Sequence, residues 1–489
     1  MDNKDLKQKT IKNVGIVGLA QIVSYGIQVV SGIFLARLLA PSDFGLVAIS
    51  SMVISMLAMI KDAGFESALI QKKDSIEKTI YTAFTTRLII SIILYIAAFA
   101  VSPLWAKLFA QSTESISVIE KIVKVLSLSI IFETFAFVPR IKLVKELKFN
   151  LNSIADIITT LSNSLIALIL AFLGFSFWSL VYASILSNLI NVIILYLINP
   201  SKLKFTIDKT ILKEIVKYGK YVVATSILML AISNIDNALI GKLLGLTALG
   251  YYSLAWRWGN WTASNIAIVI NEVMFPTYSK IQDYNNKLKK GFLKTLEYIL
   301  FLCTPASIGL FVIAPQFVNI ILGNKWTPII VPLQILCIFG LINVISNTTG
   351  QIFMAKGKPG VITKAAIISF VVLLITLFPG IKFFNLIGAA IAMLLYGLIA
   401  LIWQIHMLSR IIKLKYIEFL KIMYYPVICS ITMAFAIILF KRIFIIKDIL
   451  SLFILISLSV FIYISLFYFL NRKMIYGIKN EIRRIIIKE

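Results

Sequence analysis

Two well-separated stretches, 35 LARLLAPSDFGLVA 48 and 240 IGKLLGLTALGYYS 253, decide how this chain is read. Stacked, they pair Arg37 with Lys242, Leu38-Leu39 with Leu243-Leu244, and Gly45 with Gly250. Each stretch closes one apolar run and opens the next. A basic residue, two leucines and a spaced glycine make a helix corner, and finding it twice predicts two copies of one helical plan.

Composition sets the solvent. The 489 residues are 60% hydrophobic and 14% charged, mean hydropathy is +0.94, and apolar runs of about twenty residues recur throughout, the length that crosses a bilayer. Strands of a membrane barrel would alternate polar and apolar residues in short units, so these runs predict an all-α integral membrane protein. The formal charge of +26 does not mark a nucleic-acid binder, because the basic residues are scattered through short loops without an accompanying recognition module. The run from Val14 to Ala36 is too long for a signal-peptide core and reads as a first transmembrane helix. Cys303, Cys337 and Cys429 lie in or beside apolar runs with no metal-ligand spacing, which suits core packing.

About fourteen spans are expected, starting with 14 to 36 and 44 to 61 and ending with 422 to 441 and 449 to 471; the fourth runs from 118 to 138 and the eighth from 249 to 275. With the N-terminus inside, about three quarters of the 48 Lys and Arg fall in loops and tails on one side, which puts both termini in the cytoplasm. The expected units are an N-terminal lobe at 1–198, a basic linker at 199–217, a C-terminal lobe at 218–408, and two further helices with a basic tail at 409–489. Six helices per lobe make the repeat parallel, related by an axis along the membrane normal.

The motifs R-L-L-A-P-S-D-F-G-L (Arg37 to Leu46), D-A-G-F-E-S-A-L-I-Q (Asp62 to Gln71), I-D-N-A-L-I-G (Ile235 to Gly241), L-G-Y-Y-S-L-A-W-R (Leu249 to Arg257), V-M-F-P (Val273 to Pro276) and G-N-K-W (Gly323 to Trp326) resemble those of the polysaccharide-exporter branch of the MOP superfamily, the Wzx-type flippases. The resemblance implies a MATE-like fold of two lobes. It implies transport of an undecaprenyl-pyrophosphate-linked oligosaccharide to the outer leaflet of the cytoplasmic membrane. Alternatives within the superfamily are a lipid II flippase and a cation-coupled drug antiporter. The alternative of another class is a membrane glycosyltransferase or polymerase, against which stand the short, acid-poor outer loops.

A lipid-linked sugar carries a diphosphate and a polar glycan across about 30 Å of hydrocarbon. Arginine suits the diphosphate because its planar fork holds phosphate oxygens bidentately. Arg257 is the leading ligand, with Arg37 and Arg87 as further cations. Trp256 and Trp261, together with Trp258, Tyr251 and Tyr252, could stack on sugar rings, although an aromatic interface belt is the plainer role. Charges inside a membrane pair or face water. Arg87, Glu133 and Asp156 are therefore expected to form a network in the first lobe, with ion coupling as the sharper role. Asp236 is expected to face Arg257 or Arg37, and Lys242 sits at its corner; Asp62, Glu66 and Glu272 are expected to gate the inner side through loop lysines. No Walker motif or nucleophile elbow is present, so the chain reads as a transporter rather than an enzyme. It needs no cofactor, with Na+ or H+ as candidate coupling ions. Its partners are the bilayer, the glycolipid and a polysaccharide polymerase machinery.

Overall fold

The computed structural model describes residues 3–62, 76–110, 112–146, 148–210, 212–213, 230, 232–261, 263–444 and 446–472. Among them every regular element is helical. In chain order these are α1 (Asn3–Leu38), α2 (Pro41–Asp62), α3 (Ile76–Phe109), α4 (Thr113–Leu126), α5 (Leu128–Lys145), α6 (Phe149–Phe172), α7 (Trp178–Ile198), α8 (232–243), α9 (Leu246–Gly259), α10 (Ile268–Lys280), α11 (Asn285–Gln316), α12 (Ile330–Ala355), α13 (Gly360–Ile411), α14 (Tyr416–Ile443) and α15 (Ile449–Leu470).

Ten helices among the described residues are long and apolar enough to cross a membrane. Their outward faces carry Ile96, Phe172, Leu173, Ile375, Leu450 and Phe461, all large, apolar and exposed. Lipid solvates such faces, so the chain is a multi-pass membrane protein.

Two expected spans change shape. The fourth is not confined to 118–138: α4 and α5 run on through Ser127 as one apolar helix from Thr113 to Lys145. The eighth is broken, because α9 ends at Gly259 and a π-turn at Ala263–Ala267 precedes α10. There Gly340 of α12 comes so close that a Cβ on it would lie 2.3 Å from the Gly259 carbonyl oxygen. By contrast, the 52 residues of α13 are two helices joined at Asn385 (φ 50°), in keeping with two separate spans, read from the sequence as 361 to 381 and 384 to 408. Asn tolerates this left-handed region better than most residues.

The chain forms two compact units, Met1–Ser253 and Leu254–Glu489. In the first, α6 packs on α1 and α7, α3 on α4 and α5, and α5 on α7. In the second, α11 packs on α12 and α14, and α12 on α13. The last helix is fixed there by an aromatic cluster in which the Tyr463 hydroxyl donates to the Phe301 carbonyl at 2.9 Å. An apolar groove of about 390 Å³ runs between α11, α14 and α15, lined by Leu302, Pro305, Met433, Ile456 and Val460.

The repeated corner is built twice with different chemistry. In the first copy Pro41 opens α2 without needing an N–H partner. Asp43 reaches back to accept the Ala40 N–H at 2.8 Å and takes the Ser176 hydroxyl at 2.7 Å. In the second copy Gly245 turns the chain at φ 88°, a conformation open to glycine. The two copies then touch. A Cβ on Gly45 would lie 1.8 Å from the Leu246 carbonyl oxygen, and a Cβ on Gly250 would lie 1.8 Å from the Pro41 carbonyl oxygen. Leu246 stacks on Pro41 in the same register that stacks Gly250 on Gly45, so the contact is reciprocal. Arg37 and Lys242 are exposed at their corners, while Leu35, Leu39 and Ile240 are buried.

Candidate functional site

One end of the first unit collects charge. Helix α2 ends in Lys61-Asp62, α3 brings Arg87 from its interior, α5 carries Glu133 and Arg140 on one side, and α6 supplies Asp156. Glu133 and Arg140 are seven residues apart, two helical turns, so they share a face. Together with Ala136, Phe137, Thr159, Thr160, Asn188 and Asn191 these residues line a cavity of about 490 Å³.

Three ion pairs organise the lining. The Lys61 ammonium donates to Glu133 Oε2 at 2.5 Å and lies 3.9 Å from Asp62. Arg87 Nη2 donates to Asp62 Oδ1 at 2.7 Å, with its guanidinium carbon 4.3 Å from the centre of the Phe137 ring. Arg140 Nη2 donates to Asp156 Oδ1 at 2.8 Å and, more weakly, to Asn191 Oδ1 at 3.4 Å. Asn191 in turn donates to the Thr159 hydroxyl at 2.6 Å.

Exposure orders each pair. The Lys61 and Arg87 side chains are 1% and 7% exposed, whereas those of Asp62, Glu133 and Asp156 are 59%, 45% and 53% exposed. Lys61 and Arg87 stand behind their carboxylates, whereas Arg140, 31% exposed, stands beside Asp156. A group entering the cavity meets carboxylate oxygens and neutral amides and hydroxyls before it meets Lys61 or Arg87.

The network expected among Arg87, Glu133 and Asp156 thus has other partners. Each binds an opposite charge, but none binds another of the three; Lys61 and Arg140 complete the pairs. Asp62, expected to meet loop lysines, lies against Arg87. Lys61 is the last residue of the expected second span and Arg140 lies just past the expected fourth, while the helices continue through both. Glu66 lies outside the described residues, as does the side chain of Glu272.

Asp236 is buried and accepts the Tyr252 hydroxyl at 2.9 Å. That placement corrects Tyr252 as a sugar-stacking residue: its ring is fully buried. Trp258 is likewise buried, edge-on to Phe317 at 5.0 Å. Trp256 and Arg257 are exposed on the last turn of α9, and Trp261 follows the break, half-buried.

The helical plan defines a fold class, the MurJ/MATE-like fold. The chain is similar in structure to the inward closed conformation of the lipid II flippase MurJ, with a TM-score of 0.77 at 18% identity over 94% of this chain and 99% of the other. It is also similar to a MATE family multidrug transporter, with a TM-score of 0.63 at 18% identity over 81% and 96%. Residues 34–331 match the model of the polysaccharide biosynthesis protein family, and the chain belongs to that family. Among curated relatives it is 25% identical to the lipopolysaccharide biosynthesis protein WzxC of Escherichia coli (strain K12), over 87% of this chain and 86% of that one. It is 26% identical to an uncharacterized membrane protein of the cps region of Klebsiella pneumoniae, over 99% of both. The motif resemblance to Wzx-type polysaccharide transporters is borne out, and family and fold point to a transporter rather than an enzyme.

Proposed function

We propose that the chain is a flippase of the cytoplasmic membrane that carries polyprenyl-pyrophosphate-linked oligosaccharide units from the cytoplasmic to the outer leaflet by alternating access. The observation that carries this reading is the charged cavity, cut into a bundle whose outer faces are apolar. Ionised groups are costly at membrane depth, and six around one cavity mark a path for polar cargo. Family membership supplies the polysaccharide. The apolar groove between α11, α14 and α15 offers the lipid chain a carbon-lined surface, and exposed Arg257 supplies a fork for the diphosphate.

The full reading has fourteen spans, two six-helix lobes at 1–198 and 218–408, and both termini cytoplasmic. A reporter fused after Lys220 then reads cytoplasmic and one fused after Gly323 reads external. Either fusion on the opposite side removes the topology.

The functional test uses the full chain in liposomes with a fluorescent polyprenyl-diphosphate oligosaccharide, scored by quencher access to the outer leaflet. Flipping over empty liposomes is expected, and its absence in well-folded protein rejects the reading. Arg257→Lys keeps the charge but loses the bidentate grip, so it should slow flipping at least about tenfold, the scale of one charge-assisted hydrogen bond. Wild-type flipping by Arg257→Ala takes Arg257 out of the mechanism.

A further inference from the structure

We infer that the cavity of the first unit is a sugar subsite that selects an uncharged saccharide ring of the cargo; this rests on the flippase reading above. Its volume of about 490 Å³ falls in the range of about 300–1,000 Å³ usual for small-ligand sites. Its chemistry is wrong for a diphosphate. Lys61 and Arg87 are buried behind Glu133 and Asp62, and Arg140, 31% exposed, is already engaged by Asp156 and Asn191, so an entering anion meets carboxylates and a committed guanidinium. The same chemistry suits a polyol. Sugar hydroxyls donate to ionised carboxylates in short, charge-assisted bonds, and the lining amide of Asn188 can both donate and accept. The Thr160 hydroxyl already donates to the Asp156 carbonyl at 2.9 Å, which leaves its oxygen as an acceptor.

The ion pairs also fix the geometry. Asp156 is held by Arg140, Arg140 also touches Asn191, and Asn191 is held against Thr159. A preorganised lining loses less conformational entropy when a weakly held ligand such as a sugar binds. It also disfavours a uronate, whose carboxylate would be brought against the exposed Asp62, Glu133 and Asp156 while the balancing Lys61 and Arg87 stay buried and Arg140 is engaged by Asp156 and Asn191. An uncharged ring is therefore preferred by attraction to its hydroxyls and by repulsion of its charged analogue.

The test uses the full-length protein in lipid nanodiscs and three probes: polyprenyl diphosphate alone, the same lipid bearing a neutral disaccharide, and the same lipid bearing a hexuronate-containing disaccharide. Dissociation constants are read by native mass spectrometry. The neutral glycolipid should bind at least about fivefold tighter than the bare lipid and at least about tenfold tighter than the uronate lipid, a gain of one or two charge-assisted hydrogen bonds. Asn188→Ala and Thr160→Val should remove most of the neutral-sugar advantage and leave the bare lipid unchanged. Asp156→Asn should narrow the gap between neutral and uronate lipids. Because Asn188 and Thr160 take no part in the ion pairs, their variants keep the test independent of any folding defect in the Asp156 variant. Equal binding of the bare and neutral lipids, equal binding of the uronate lipid, or variants that keep the preference would overturn the subsite. Loss of sodium-dependent binding in these variants, with the sugar preference intact, would assign the cavity to an ion instead. If none of the three lipids binds folded wild-type protein, the flippase reading fails first and the subsite falls with it.

Discussion

Glu133→Gln is expected to be among the more destabilising single changes in the first unit, at about 1–3 kcal/mol, the usual penalty for leaving a buried polar group without its partner; the half-exposed carboxylate keeps it below the cost of breaking a fully buried pair. Lys61 is the reason. Its side chain is almost fully buried, and its contact with Glu133 is 2.5 Å against 3.9 Å to Asp62. Removing the nearer carboxylate leaves a nearly buried ammonium whose remaining carboxylate, Asp62, is 3.9 Å away. Combining Lys61→Met with Glu133→Gln removes both charges and should recover much of the loss, because an apolar side chain tolerates that site. Thermal unfolding of the purified protein separates the outcomes. A Glu133→Gln shift under about 2 °C, less than 1 kcal/mol in a unit of this size, would show that Lys61 is solvated or held by another group.

The second large effect is steric. Gly45→Ala and Gly250→Ala each place a methyl group where the opposite copy of the corner has a backbone carbonyl oxygen, at 1.8 Å. No rotamer relieves this, because the obstructing atom belongs to a helix backbone. The two helices must separate, and overpacking of this kind costs about 1–3 kcal/mol or more. Gly26→Ala in α1 is the control, since a Cβ there meets nothing within 4 Å and helix propensity favours Ala over Gly by about 1 kcal/mol. The expected order of melting temperatures is Gly26→Ala at or above wild type, with both corner variants well below. Corner variants that melt with the control would show that the reciprocal contact does not form.

The two corners are legible in the sequence because they depend on residue type at fixed spacing, which pairs Gly45 with Gly250. The sequence could not say that the copies touch each other there, since a spaced glycine reads the same whether its neighbour is lipid or another helix. The site was half legible. Arg87, Glu133, Asp156 and Asp62 stood out as charges within or at the ends of apolar runs. Their partners Lys61 and Arg140 did not, because Lys61 is the last residue of the expected second span and Arg140 lies just past the expected fourth, where a charge reads as a solvated helix end. Asn188 and Asn191 gave no signal, because a single amide in an apolar helix reads equally as packing. Tyr252 misled for a related reason: a tyrosine beside tryptophans at a span end fits an interface belt, and only its contact with Asp236 shows that it points inward.

The cavity of the first unit holds Lys61, Arg87 and Arg140 against Asp62, Glu133 and Asp156, so its formal charge is zero. A membrane voltage does work only on net charge displaced along the field, at about 2.3 kcal/mol per elementary charge per 100 mV. Motion of these six groups together through the bilayer is therefore electrically silent. Any voltage dependence of turnover arises from charge on the cargo or on groups outside this cavity.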